Sequence, residues 1–288
     1  MSAQQLAEQI EELILSSTED FSAGIEYLQG TIYNRLLGVL KELEIDSDGY
    51  IKQSAANRRV LYDAENMINE FLPGESLPQL VSVVITVIPE IDSLNIEYFK
   101  GISSAFKDNR AFIKGLQTST IEQIESTLLQ DGLTAAIKNP LVEILNLNVN
   151  TGGNFSGFLQ QVRDFIQGND ELDGRTLSYS RTYLRDTLFN YSRAFQQSVT
   201  ADLKLVFYSY SGGLMDKSRE FCIERAGNFY HESEIKQWAG LEWRGKRQGT
   251  TESSIFVYCG GYNCTHSLIP VHEAIVPQDV KDRVMETA

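Results

Sequence analysis

Cysteine and histidine are scarce in this chain of 288 residues, three of each, and all six lie between Cys222 and His272. So few cysteines, odd in number, exclude the disulfide framework that small secreted domains depend on. The first fifteen residues, MSAQQLAEQIEELIL, hold three glutamates and no lysine or arginine, so no secretory signal is expected there. Long hydrophobic runs are missing too. Leu80 to Ile88 is interrupted by Ser82 and Thr86 and closed by Pro89, far short of the roughly 20 residues of a membrane span. The expectation is a soluble chain made in a reducing cytoplasm, with no membrane partner. No Walker loop, dinucleotide fingerprint or HExxH motif occurs, and Gly260-Gly261, which opens no helix and lacks the lysine that a P-loop places just after its glycines, reads as a turn rather than a phosphate cradle.

Positive charge is short in the first part of the chain. Residues 1–175 carry 26 Asp+Glu against 12 Lys+Arg, whereas residues 176–288 carry 13 of each, so the whole net charge of −14 belongs to the first part. Such a surface repels phosphate backbones and anionic lipid, which points to protein partners there. The length suits one or two domains with cores of their own.

What is present is helical periodicity. Leu6, Ile10 and Ile14, with Leu13, predict a short helix ending near Ser16. Ser17-Thr18-Glu19-Asp20 then reads as a new cap followed by carboxylates in a first turn. Phe21, Ile25, Leu28, Ile32, Leu36, Val39, Leu40 and Leu43 predict a long helix after it. Asp46-Ser47-Asp48-Gly49 breaks the pattern. Set in a calcium loop starting at Glu44, these residues fit the early ligand positions, but position 12 is Ala55 where a glutamate is required, so a plain acidic turn is expected. Further helices are predicted over Gln53–Phe71, before Pro73-Gly74, and over Leu77–Ile88, where the valine-rich 81–87 run also fits a buried strand. Helical patterns follow over Ile91–Ala105, Ala111–Leu116, Ile121–Leu129, Leu133–Leu145 and Phe155–Ile166. Gly168 to Gly174 is polar and glycine-rich and reads as a linker.

Thr176–Asp202 predicts another long helix, with Leu177, Leu184, Leu188, Tyr191, Phe195 and Val199 buried and Arg181, Arg185 and Arg193 largely off that stripe. The period then changes. Leu203–Tyr210, Ile255–Tyr258 and Leu268–Val271 read as strands, the first two paired in one sheet under the 176–202 helix. The expected fold is therefore α+β: a long, mostly helical, acidic domain over 1–175, then a small α+β module with a short antiparallel sheet over 176–288, able to fold by itself.

The order Arg181-Thr182, a strand, Ser218-Arg219-Glu220-Phe221-Cys222, Gly227-Asn228-Phe229-Tyr230, Gly260-Gly261-Tyr262-Asn263-Cys264-Thr265-His266 and Leu268-Ile269-Pro270-Val271 resembles the C-terminal module of phage minor head proteins, the head-morphogenesis family typified by the F protein of phage Mu. The likeness covers residues 176 to about 277. Two positions depart from the pattern: Tyr183 stands where the family usually has a glutamate, and His266 where it often has a cysteine. The resemblance implies a non-enzymatic protein of the virion, present in few copies at the portal or inner capsid, acting in head morphogenesis or genome delivery after assembly in the host cytoplasm. Its partners would be portal or capsid proteins or further copies of itself. A head-to-tail connector, or a cysteine-dependent hydrolase or toxin-like effector carried with the genome, are the alternatives.

Cys222, Cys264 and His266, with Cys259 or His231 as a fourth, have the ligand types of a structural zinc site. A Cys222–Cys264 cross-link and simple buried thiols stay open beside zinc, and no other cofactor is indicated; packing is the ordinary state of a cysteine. The hydrolase alternative would need a cysteine nucleophile, His266 or His272 as base and Asn263 as orienter. Trp243, Lys246 and Arg247 lie in a loop that could make a weak contact with packaged DNA, though so few basic residues do not establish it and a solvated loop is the ordinary reading.

Overall fold

In the computed structural model, which describes residues 1–71, 76–130, 132 and 134–287, residues 3–203 are mostly helical, and an α+β part with a three-stranded antiparallel sheet follows. The expected break at Pro73-Gly74 and the expected helix start at Leu133 lie outside the described residues. The chain gathers into two units: Met1–Ser17, Thr86–Thr120 and Leu184–Ala288 form one, Thr18–Ile85 and Ile121–Tyr183 the other. From Leu184 onward, the 176–288 module of the sequence thus shares its unit with two earlier segments.

Helix α1 runs unbroken over Ala3–Leu40, which corrects the predicted stop near Ser16. Buried Leu6, Ile10, Ile14, Thr18, Phe21, Ile25 and Leu28 follow one another at three- and four-residue steps straight through the supposed boundary. The hydroxyls there do not cap. Ser17 Oγ donates to the Leu13 carbonyl at 2.8 Å and Ser22 Oγ to that of Thr18 at 2.5 Å, bonds that need a continuing helix.

In the second unit, α2 (Ala55–Phe71) and α3 (Ser76–Ile85) follow a turn built on Asp46. The Asp46 carboxylate accepts from the amides of Asp48 and Tyr50, and Gly49 takes φ +84°, the conformation glycine permits. Asn57, fully buried, clamps the turn through Glu44 and Lys52. The valine-rich segment is helical through Ile85, with Val81 and Val84 buried and Val83 exposed. A π-helical turn, Thr134–Lys138, leads into α6 (Asn139–Thr151), and α7 (Phe155–Gln167) starts on an Asn154 cap. Between these, α4 (Ile88–Ile102) and α5 (Arg110–Leu129) intervene, α5 being one helix where two were expected. Residues 76–102 are long and apolar enough to cross a membrane by length and composition alone. The helix is nevertheless broken at 86–87, and α4 buries Asp92 and Asn95.

In the first unit, α8 (Arg175–Leu203) supplies its residues from Leu184 on. It ends with Lys204 at φ +54° and the Leu205 amide bonded to the Thr200 carbonyl, a Schellman-type close. The strand predicted from Leu203 therefore begins later, as β1 (Phe207–Ser211), which lies between β2 (Phe229–His231) and β3 (Ser267–Val271), antiparallel to both. Tyr208 pairs with Tyr230 and Pro270, so the proline sits on an edge strand, where its missing N–H costs no ladder bond. All five residues of β1 are buried, as a strand covered on both faces must be.

Ile255–Tyr258, expected to pair with β1, is instead a helical turn, α11. Thr251 and Ser254 cap each other just before it: the Ser254 hydroxyl accepts from the Thr251 amide at 2.8 Å and the Thr251 hydroxyl from the Ser254 amide at 3.2 Å. That local capping outweighs the β preference of Ile, Phe and Val. β3 takes the place beside β1.

Candidate functional site

The Cys/His cluster assembles from three chain segments. The short helix α9 (Glu220–Ile223) carries Cys222, the turn after α11 carries Cys259 and Cys264, and His266 stands just before β3. Cys259 and Asn263 bracket this turn with positive φ, +50° and +56°, an uncommon backbone for non-glycine residues. A Cβ at Gly260 would come within 2.6 Å of Cys222 Sγ and 2.8 Å of Cys264 Sγ, so only glycine lets the backbone pass against both sulfurs.

The ligand atoms of Cys222, Cys264 and His266 all lie within 4.8 Å of one another. Cys264 Sγ is 4.0 Å from His266 Nδ1, and Tyr210 Oη donates to Cys222 Sγ at 3.3 Å. Each of the four Cys/His residues is at most 3% exposed, and all three cysteines are free thiols rather than cross-linked. His266 Nε2 is buried with no hydrogen-bond partner. Cys259 belongs to the same buried core but falls outside the tight group of three. His231 and His272 lie elsewhere, His231 capping α10 (Glu232–Gln237) and His272 the 3-10 turn Glu273–Ile275, each through its own ring nitrogen.

The neighbouring Cys222 and Cys259 thiols, with His266 and Arg193, hold the Cys264 thiol well below the ordinary cysteine value against the opposing effect of burial. Cys222 is pushed up by its bond to Cys264 and by burial, and Cys259 chiefly by burial. Burial likewise raises Tyr210, which stacks on the His266 ring with centroids 5.2 Å apart. Phe221, Trp238 and Trp243 wall the cluster, Phe221 and Trp243 stacking at 4.0 Å.

Arg193 organises this region, and it corrects the prediction that it lies off the buried stripe: it is 2% exposed. Its guanidinium donates to the carbonyls of Cys264 and His266 at 2.6 Å each and to that of Val257 at 3.1 Å. Five donors in a fixed fork suit this task, which a lysine could not reproduce. Asp186, one α8 segment earlier, accepts from the Asn263 amide at 2.8 Å and pairs with Arg247 at 2.8 Å. Sequence reasoning missed Arg193 and Asp186 because charged residues in an amphipathic helix are ordinarily assigned to solvent. The available signal was their company, with Ser192, Gln196 and Thr200 continuing a small polar stripe that is also buried.

The three residues singled out for DNA contact are engaged inside the fold. Trp243 Nε1 donates to the Gly260 carbonyl, Lys246 Nζ donates to the carbonyls of Ala239 and Leu241, and Arg247 meets Asp186 and lies over the Tyr258 and Tyr262 rings. A cavity of about 310 Å³ in the same unit is lined by Phe106, Phe112, Phe195, Val199 and neighbours and shares no residue with the cysteine cluster. No family model, no curated protein and no solved structure matches this chain.

Proposed function

We propose that this chain is a non-enzymatic structural protein of a phage virion, a minor head protein acting in head morphogenesis or genome delivery at the portal or inner capsid. The observation that carries the proposal is the convergence of the resemblance-bearing residues: Phe221, Cys222, Cys264 and Leu268 are members of one buried core, with Tyr230 packed against it. Motif residues spent on a core fit a module kept for its shape. A cysteine nucleophile needs access to substrate as well as a base in reach; His266 lies near Cys264, but these thiols are at most 2% exposed, and His272 is occupied as a helix cap. The acidic helical part, with net −14 over residues 1–175, is the surface for other virion proteins, since it repels nucleic acid.

Mass spectrometry of DNA-filled heads, purified on a gradient from cells producing the phage, tests this directly. The chain should be present at few copies beside portal and major capsid proteins. Recovery of the chain only in the soluble host fraction, with heads lacking it, would overturn the proposal.

A further inference from the structure

We infer that Cys222, Cys259, Cys264 and His266 form a structural site for one zinc ion that ties three segments of the C-terminal module together. The inference stands on geometry and donor chemistry and does not rest on the virion role. Three ligand atoms from α9, the 259–264 turn and the start of β3 already lie within 4.8 Å of one another. Zinc–sulfur bonds of about 2.3 Å at tetrahedral angles set sulfurs roughly 3.8 Å apart, so the group needs only a small inward adjustment. Cys259, buried in the same core and on the same turn as Cys264, supplies the fourth position.

The donor set selects the ion. Thiolate and imidazole suit zinc and not magnesium or calcium, which take oxygen ligands. One feature is otherwise unexplained: three thiols are gathered in one core without a cross-link. Metal coordination accounts for it. Charge balances as well, because three thiolates on a divalent ion leave one negative charge, and the buried Arg193 guanidinium, bonded to the carbonyls of Cys264 and His266, supplies a compensating positive one. Asp186, the carboxylate nearest to it in sequence, is paired with Arg247. Burial of all four residues leaves no open position for substrate, the mark of a structural rather than a catalytic zinc.

The test uses the full chain, purified without chelator and analysed for metal by mass spectrometry. About one zinc per chain is expected, and cobalt substituted for it should give the sulfur-to-metal charge-transfer bands of a tetrahedral thiolate site. Cys222→Ser, Cys264→Ser and His266→Gln should each lose the ion, Cys259→Ser should weaken the charge-transfer band by one thiolate, and His231→Ala and His272→Ala should keep full occupancy. Should a ligand variant fail to fold, the wild-type chain still decides. Reduced wild type that takes up neither zinc nor cobalt from excess metal overturns the site, as does metal retained in folded Cys222→Ser or His266→Gln. A cobalt spectrum unchanged in Cys259→Ser overturns the assignment of the fourth ligand.

Discussion

Arg193 shows most sharply how one side chain can fix a loop. Its three carbonyl acceptors sit at Val257, Cys264 and His266, so a single guanidinium spans both sides of the cysteine turn. Arg193→Met would leave those buried carbonyls unsatisfied, and each such loss costs about 1–3 kcal/mol. Urea unfolding should therefore show a loss on the order of 3 kcal/mol, with Arg193→Lys recovering only part of it because an ammonium cannot reproduce the fork. A wild-type midpoint in Arg193→Met would remove the residue from this role. Asp92 offers a pH-dependent counterpart. It accepts from Tyr191 Oη and Gln117 Nε2, both at 2.5 Å, yet burial raises its carboxyl above the usual range, against the lowering effect of these two bonds. With the folded value above the unfolded one of about 3.9, its contribution is fully present below that pH and is lost as pH rises through the folded value. Asp92→Asn removes this titration, so its stability relative to wild type should improve between about pH 4 and pH 7. Parallel urea midpoints across that window would refute the sign.

Helix α1 is where element-scale reading of the sequence and the structure part most clearly. A Ser-Thr-Glu-Asp run carries every local mark of a helix start, and local marks were all that separated two helices from one. What decides is the spacing Ile14, Thr18, Phe21, in which a buried threonine keeps the apolar stripe in phase. The same logic governs Ile255–Tyr258, where β-prone side chains sit in a helical turn because Thr251 and Ser254 cap it. By contrast, the helix–sheet order and the last strand were legible, since long 3.6-residue stripes and a buried apolar run bounded by polar residues leave few alternatives. Cys222, Cys264 and His266 were already grouped by ligand type, but the guanidinium and glycine that shape their surroundings were not, because tertiary packing leaves no local pattern. Glu19, exposed on α1, separates the one-helix and two-helix readings. As the first residue after a Thr18 cap it would tolerate proline, whereas inside a continuous helix Glu19→Pro should cost about 3 kcal/mol. Circular dichroism with urea unfolding measures the difference, and an unperturbed variant would restore the boundary.

At the scale of the whole molecule, the order of residues along the chain and their grouping in space differ, and proteolysis can tell which governs stability. Residues 169–173 are exposed, and their loop is held by a Gly168–Asp173 bridge and by the Asn169 side chain bonded to the amides of Glu171 and Leu172; exposed polar loops of this kind are favoured cleavage sites. A cut there frees Arg175–Ala288 covalently. It does not free it from its own unit, because Thr86–Thr120 belongs with Leu184–Ala288. Tyr98 Oη donates to the Pro270 carbonyl at 2.6 Å, Tyr191 Oη donates to Asp92, and Asn95 bonds both Ser192 and Gln196. Those groups are buried, so separating the fragments would expose Phe99 and Phe195, which stack at 6.4 Å, and strand the polar partners. The nicked protein should therefore elute from a sizing column as one species in native buffer and as two fragments in urea. Residues 175–288 produced alone should show a lower and broader unfolding transition than the same residues within the nicked complex. A C-terminal fragment that dissociates in native buffer and keeps the full transition would mean that 176–288 carries its own stability and that the contacts through Tyr98, Asp92 and Asn95 add little to it.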